Sequence, residues 1–149
     1  MRSKILFQIL FLFSSFIFAQ NAKDIYQKNG IANDGYDVVS YFSAKPQEGS
    51  AKFIVKYQGI NYYFLNAQNK AKFQQTPSKY LPQYGGYCAF AMGDYGEKVE
   101  VNPKTYKIVN AKLYLFYNKL FNNTLTEWNK DERNLIIKAD KNWKKLTEQ

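Results

Sequence analysis

The sequence contains one cysteine, and it follows two consecutive glycines that lie between tyrosines: Tyr84, Gly85, Gly86, Tyr87 and Cys88. Met92 lies four residues after the thiol. Because a thiolate is both a nucleophile and a soft-metal ligand, this stretch could carry redox chemistry or bind a metal. A buried thiol that packs as a small apolar side chain is the alternative interpretation.

A helix that begins within residues 87–92 would place the thiol near the positive end of a helix dipole, which favours a thiolate. The same spacing places the sulfurs of Cys88 and Met92 on one helix face. Thiolate and thioether together favour Cu(I), so Cys88 and Met92 are the candidate metal ligands and a copper ion is the candidate cofactor. A methionine that belongs to the core is the alternative. The candidate ligand-binding or redox residues are Cys88, Tyr84, Tyr87, Gly85 and Gly86.

The chain has no histidine, which excludes Ser-His-Asp and Cys-His catalysis and histidine-based zinc sites. A single cysteine also excludes a disulfide within the chain. No pair of carboxylates is placed for acid–base catalysis, so no catalytic residue is assigned and the composition favours a protein that is not an enzyme. Asp37, which follows the turn at Asp34 and Gly35, is interpreted as a turn cap.

The N-terminus has the pattern of a secretory signal. Arg2 and Lys4 precede a mainly apolar run that ends near Ala19, and the run is short for a membrane span. We predict a cleaved signal peptide over 1–19, a polar lead-in over 20–34 that forms one helical turn or stays loose, and one domain over 35–149. The mature protein is expected to be periplasmic or extracellular, without a membrane span.

The formal charge of the chain is +9, and its basic residues are scattered except for a group near the C-terminus. In an exported protein this charge indicates solubility and attraction to anionic surfaces. No nucleic-acid motif accompanies the charge, so nucleic acid is not an expected partner.

Aromatic and β-branched runs around short polar turns predict two hairpins: 53–57 with 62–65, and 106–109 with 113–117. A strand is predicted over 36–42, a shorter one over 98–101 and a turn at Asn102-Pro103. Residues 77–86 are expected to be irregular or briefly helical, with Tyr80 and Tyr84 on one face if helical.

Helical spacing of apolar residues and capping signals predict three helices. The first covers Ala67–Gln75, with Asn66 as its cap. The other two helices lie at the end of the chain. The first is marked by Leu120, Phe121, Leu125 and Trp128. The second has Asp131 as its N-cap and is marked by Leu135, Ile136, Ala139, Trp143 and Leu146. The fold class is therefore α+β: a small antiparallel sheet built from hairpins and packed against helices.

Several stretches occur in the order found in exported bacterial YHS domain-containing proteins: Gly35-Tyr36-Asp37-Val38-Val39-Ser40-Tyr41-Phe42, Tyr62-Tyr63-Phe64, Pro82-Gln83-Tyr84-Gly85-Gly86-Tyr87-Cys88-Ala89, Lys112-Leu113-Tyr114-Leu115 and Ala139-Asp140-Lys141-Asn142-Trp143. The chain strongly resembles that group from about Gly35 to Leu146. It departs from the group at Asn102-Pro103, where many relatives have Asp-Pro, so an acidic role there is not carried over.

The resemblance implies chemistry at Cys88. Related YHS modules are attached to copper- and heavy-metal-transporting ATPases, where metal binding is suspected, and some exported relatives carry selenocysteine at the position of Cys88. Three hypotheses follow. The protein is a module that binds a soft metal or a small ligand through Cys88, a thiol redox protein that acts with an external thiol, or an adaptor for another envelope protein in which Cys88 is structural.

Overall fold

The computed structural model describes residues 21–43 and 45–148 of the chain, and the predicted signal peptide lies outside them. The strands of this part of the chain are β1 (Gln27–Lys28), β2 (Ile31–Ala32), β3 (Ser50–Tyr57), β4 (Ile60–Phe64), β5 (Asn102–Val109), β6 (Lys112–Phe116), β7 (Asn118–Lys119) and β8 (Asn122–Asn123). Its α-helices are α1 (Ala67–Gln75), α2 (Pro77–Tyr80), α3 (Ala89–Asp94), α4 (Thr124–Trp128) and α5 (Glu132–Thr147). Helices and hairpins are thus mixed, which confirms the α+β class.

The first sheet has the strand order β1-β2-β4-β3. The predicted hairpin is confirmed as β3 and β4, joined through Gln58 and Gly59 at positive φ angles of 49° and 84°. Positive φ at both turn residues matches the twist of the two strands. The lead-in supplies one helical turn, Ala22–Asp24, and then β1 and β2. Among the described residues of the lead-in, β2 is the strand that pairs with β4. The pairing is parallel, with Ile31 opposite Asn61.

The strand predicted over 36–42 is wrong. Ser40–Phe42 form a 3-10 turn, because the fully buried Asp37 binds backbone locally. Its Oδ1 accepts the N–H of Val39 at 2.8 Å, and its Oδ2 accepts the N–H of Leu65 at 2.9 Å. Asp37 therefore caps a turn, as predicted, and also fastens that turn to the end of β4.

Helix α1 begins and ends where the sequence predicts, and the side chain of Asn66 accepts the N–H of Asn69 at 2.8 Å. Proline at the first position starts α2, which is only four residues long. Tyr80 on α2 packs in the core of the first sheet, whereas Tyr84 packs beside the C-terminal helices. These two tyrosines do not share a face.

The second predicted hairpin is confirmed as β5 and β6. The strand predicted over 98–101 and the turn predicted at Asn102-Pro103 are both wrong, since β5 begins at Asn102 and contains Pro103. This sheet has two strands, so each has a free edge, and proline, which lacks an N–H, is tolerated there.

The two predicted C-terminal helices are present as α4 and α5, but the first begins at Thr124. Leu120 and Phe121 are instead the turn of the β7–β8 hairpin. Asp131 precedes α5 as predicted, although its side chain accepts from Asn134 Nδ2 at 2.7 Å and bonds no backbone N–H.

In the part of the chain that the structure describes, the core consists of three clusters. One lies under the first sheet, one around Trp128 between β6 and the C-terminal helices, and one around Cys88, Leu113 and Leu115. Trp128 is fully buried, and Trp143 packs at the margin of its cluster. None of the helices in the described ranges is long and apolar enough to cross a membrane.

Candidate functional site

Three consecutive residues, Tyr84, Gly85 and Gly86, have left-handed φ angles of 55°, 63° and 89°. The carbonyl of Gly85 accepts the N–H of Tyr26 at 2.8 Å. A Cβ on Gly85 would lie 1.9 Å from the carbonyl oxygen of Asp24, so no side chain fits there. The glycine pair is therefore required for the chain to turn tightly against the 24–26 segment.

Cys88 follows this turn and is fully buried. Its N–H donates to Val99 O at 2.9 Å, and its Sγ accepts the N–H of Tyr117 at 3.3 Å. The Sγ also lies 3.4 Å from Thr124 Oγ1, which is 2.9 Å from Tyr117 O. The Cys88 sulfur, the Thr124 hydroxyl and the peptide groups of Tyr117 thus form one closed network at the base of the β7–β8 hairpin.

The network has two proton arrangements. The single hydroxyl proton of Thr124 bonds either Tyr117 O or the Cys88 sulfur. In the first arrangement the thiol donates to Thr124 Oγ1. In the second the sulfur accepts two hydrogen bonds, one from Tyr117 N–H and one from the Thr124 hydroxyl.

Met92 does not join this network. Helix α3 begins within residues 87–92, as predicted: Cys88 is its N-cap, with a non-helical ψ of 117°, and the carbonyl of Cys88 accepts the N–H of Met92 at 3.0 Å. Met92 packs with Trp128 and Leu135, and Cys88 belongs to a different cluster. In the described ranges, no group of three or more Cys, Asp or Glu side chains is arranged to hold a metal ion.

The side chains of Tyr84 and Tyr87 lie in different surroundings. Tyr87 is half-buried, meets Tyr26 edge to face at 5.6 Å and lies under Lys98 Nζ at 5.7 Å. Tyr84 is buried on the other side of the turn, where its hydroxyl donates to Asp140 Oδ1 at 2.9 Å. Burial, and then the neighbouring carboxylate of Asp140, raise the pKa of Tyr84 well above its ordinary value.

Tyr84 is part of the wall of an open cleft of about 450 Å³. One wall is the chain from Leu81 to Tyr84. The other is one face of α5 at helical spacing, Asp140, Trp143, Lys144 and Thr147, together with Glu148 just after the helix. The indole of Trp143 meets the ring of Tyr84 at 6.2 Å. Cys88 does not line this cleft.

A buried ion pair lies beside the cleft. The carboxylate of Asp24, which lines the cleft, is 3% exposed and accepts from Lys98 Nζ at 2.7 Å. The same ammonium group lies 5.6 Å from the ring centre of Trp143. Asp24 and Lys98 thus connect the lead-in, the segment before β5 and the C-terminal helix.

Sequence reasoning identified Tyr84 but not Asp24, Asp140 or Lys98 as residues of this region. The spacing of Asp140, Trp143, Lys144 and Thr147 on one helix face was the available signal, although it also fits an ordinary core helix. Nothing in the sequence connects Asp24 with Lys98, because the pair joins segments 74 residues apart.

The chain was compared with protein-family models, with curated proteins and with solved structures. None of the three comparisons found a match.

Proposed function

We propose that the mature protein is an exported YHS-type binding module that holds a small polar ligand in the cleft beside Tyr84. The observation that carries the proposal is the hydrogen bond between Tyr84 and Asp140 in the cleft wall, next to the half-buried indole of Trp143. The most distinctive stretch of the sequence thus contributes directly to the cleft. Its volume of about 450 Å³ falls in the range of small-molecule sites.

The lining favours a ligand with a cationic group. Of the three carboxylates in the lining, Asp24 is paired with Lys98 and Glu148 Oε2 lies 3.9 Å from Lys144 Nζ, which leaves Asp140 as the carboxylate without an ion pair in the described ranges. Asp140 uses Oδ1 for Tyr84, which leaves Oδ2 to accept from a ligand. Trp143 offers an aromatic face beside these carboxylates, which suits a cation or a flat apolar group.

In this proposal Cys88 supports the site from inside. Its burial and its bonds to Val99 and Tyr117 fix the end of the turn that presents Tyr84. Substitution of Cys88 would therefore weaken ligand binding indirectly, through the conformation of the turn.

The test is a titration of the exported protein with a panel of small primary amines, with the corresponding alcohols as uncharged controls. Binding is followed by amide chemical shifts. We expect at least one amine to shift the signals of Tyr84, Asp140 and Trp143, and Asp140→Asn to weaken its binding at least tenfold. Asp94→Asn, an exposed carboxylate outside the cleft, should leave binding unchanged. Failure of every amine, or equal binding by Asp140→Asn, would contradict the proposal.

Soft-metal capture or thiol redox chemistry at Cys88 is the second candidate. The observation that favours it is the polar surroundings of the sulfur, which accepts the N–H of Tyr117 at 3.3 Å and lies 3.4 Å from the hydroxyl oxygen of Thr124. The thiolate would bind a copper ion, or attack an external disulfide to form a mixed disulfide and release one partner thiol. The sulfur is buried, so either reaction requires the β7–β8 hairpin to open.

Competition for Cu(I) against a chelator tests the metal reaction, with Cys88→Ser and Met92→Leu as variants. Copper uptake that is lost in both variants would support a Cys88–Met92 pair, and uptake lost only in Cys88→Ser would support a single protein ligand. Uptake unchanged by Cys88→Ser would exclude a metal site at the thiol. Incubation with oxidised glutathione and mass spectrometry tests the redox reaction, which requires a mixed disulfide on Cys88.

A further inference from the structure

The turn of the β7–β8 hairpin carries the two most exposed large apolar side chains in the described ranges. Leu120 is 96% exposed and Phe121 is 105% exposed, and the next of this kind, Ile137, is 63% exposed. Scattered exposed apolar residues are ordinary, but these two are adjacent on one hairpin turn and together form an apolar tip.

The tight turn of this hairpin requires a positive φ at its first residue, and that residue is Leu120, with a φ of 55°. Gly or Asn adopts this conformation with less strain. The leucine side chain gains no burial within the described chain that would compensate for the strain.

The hairpin is held firmly at its base. Thr124 N–H donates to Tyr117 O at 3.0 Å, and Asn118 Nδ2 donates to Thr105 Oγ1 on β5 at 3.0 Å. Asn102 Nδ2 also donates to Asn118 O at 3.3 Å. The apolar pair is therefore presented on a fixed projection.

The chain around the hairpin is basic. No Asp or Glu occurs from Val101 to Thr126, and four lysines do: Lys104, Lys107, Lys112 and Lys119. Lys119 pairs with Glu100 and Lys107 with Glu132, and no ion pair involves Lys104 or Lys112 within the described ranges. Removal of Arg2 and Lys4 with the predicted signal peptide leaves the formal charge at +7 instead of +9.

We propose that Leu120 and Phe121 insert into the surface of an anionic lipid bilayer, with Lys119 of β7 and Lys104, at the end of β5 that contacts β7, at the headgroups. Exposed apolar side chains with nearby lysines bind reversibly at the boundary of headgroups and acyl chains. A protein partner is less well matched, because a stable protein interface buries about 800 Å² per partner and this tip offers two side chains. The proposal is independent of the ligand cleft.

The experiment measures binding of the exported protein to vesicles of phosphatidylglycerol and, separately, of phosphatidylcholine. The N-terminus of the purified protein is first determined by mass spectrometry, to establish that the predicted signal peptide has been removed and does not contribute to binding. We expect binding to the anionic vesicles that is at least tenfold tighter and that weakens with salt. The double variant Leu120→Ser/Phe121→Ser should lose at least tenfold in partitioning, and Lys104→Gln should lose severalfold.

Ile137→Ser removes another exposed apolar side chain, on α5, and serves as the matched control with unchanged partitioning. Phe121→Trp supplies a local probe, because a tip that inserts shifts its emission to shorter wavelength and becomes quenched by brominated lipid. Emission is compared with that of the parent protein, which contributes Trp128 and Trp143. No binding to anionic vesicles, or binding unchanged by the Leu120→Ser/Phe121→Ser variant, would overturn the proposal.

Discussion

The hydroxyl of Tyr84 donates a hydrogen bond of 2.9 Å to the carboxylate of Asp140, 56 residues further along the chain. This bond joins the left-handed turn before Cys88 to the C-terminal helix. We expect a double-mutant cycle with Tyr84→Phe and Asp140→Asn to give a coupling free energy of about 1 kcal/mol, because the carboxylate is exposed and water screens it. Urea denaturation measures the cycle, and purely additive losses would show that the bond contributes nothing.

The raised pKa of Tyr84 predicts that the protein loses stability at alkaline pH. The pKa of its phenol is raised in the folded protein, so the neutral form is the one that the fold prefers. Its contribution is fully present below the ordinary tyrosine pKa of about 10 and is lost as the pH rises above that value, because the unfolded chain ionises first. We expect Tyr84→Phe to reduce the slope of stability against pH above about pH 10, as followed by circular dichroism. An unchanged slope would mean that Tyr84 ionises equally in both states.

Gly85 should tolerate no side chain. Gly85→Ala places a methyl group against the carbonyl of Asp24 in addition to the left-handed strain, so we expect a loss of about 3 kcal/mol or more in the free energy of unfolding. Gly30→Ala is the matched control, because its φ of 76° is also left-handed but no atom lies within 4 Å of the added Cβ. That variant should lose about 1 kcal/mol. Equal losses in urea denaturation would contradict the close approach at Gly85.

Lys98 compensates a buried charge. Lys98→Met leaves the carboxylate of Asp24 buried without its partner, and we expect a loss of about 3 kcal/mol. Lys28→Met breaks a comparable pair with Asp34 in which the lysine side chain is 57% exposed, and it should cost less than about 1 kcal/mol. Thermal or urea unfolding compares the two variants, and similar losses would show that Asp24 is hydrated.

Cys88 should react with iodoacetamide far more slowly in the folded protein than in urea, since its sulfur is fully buried. Thr124→Val keeps the shape of the side chain but removes the hydroxyl that contacts the sulfur and Tyr117 O. We expect this variant to be alkylated roughly tenfold faster, because the hairpin base opens more often. Fast alkylation of the parent protein without denaturant would show that the sulfur is already accessible.

Leu120→Gly should stabilise the protein by about 1 kcal/mol, because glycine adopts the left-handed φ without strain and the leucine side chain makes no compensating contact. The same substitution should weaken binding to anionic vesicles. A variant that is more stable and yet binds lipid less would separate the role of the turn in folding from its role at a surface. A loss of stability would indicate that Leu120 packs within the folded chain.

Local patterns predicted the hairpins and the long helices well. The Asn66 cap and Pro77 determine both ends of α1 through bonds within a few residues of each other, so the sequence was sufficient there. Two predictions failed for different reasons. Asp37 binds the nearby N–H of Val39 and the distant N–H of Leu65, and these bonds hold a turn where a strand was expected. The apolar spacing of Leu120 and Phe121 is the same for a helix and for an exposed turn.

The sequence by itself determined the α+β class, the positions of both hairpins and the need for a tight turn before the only thiol, because propensity, capping and glycine freedom act over a few residues. Tertiary structure alone decided the surroundings of that turn. The separation of Met92 from Cys88, the Tyr84–Asp140 bond and the Asp24–Lys98 pair all depend on how helices and strands distant in sequence pack together. No local sequence pattern predicts those contacts, since the residue types that make them also occur in ordinary protein surfaces and cores.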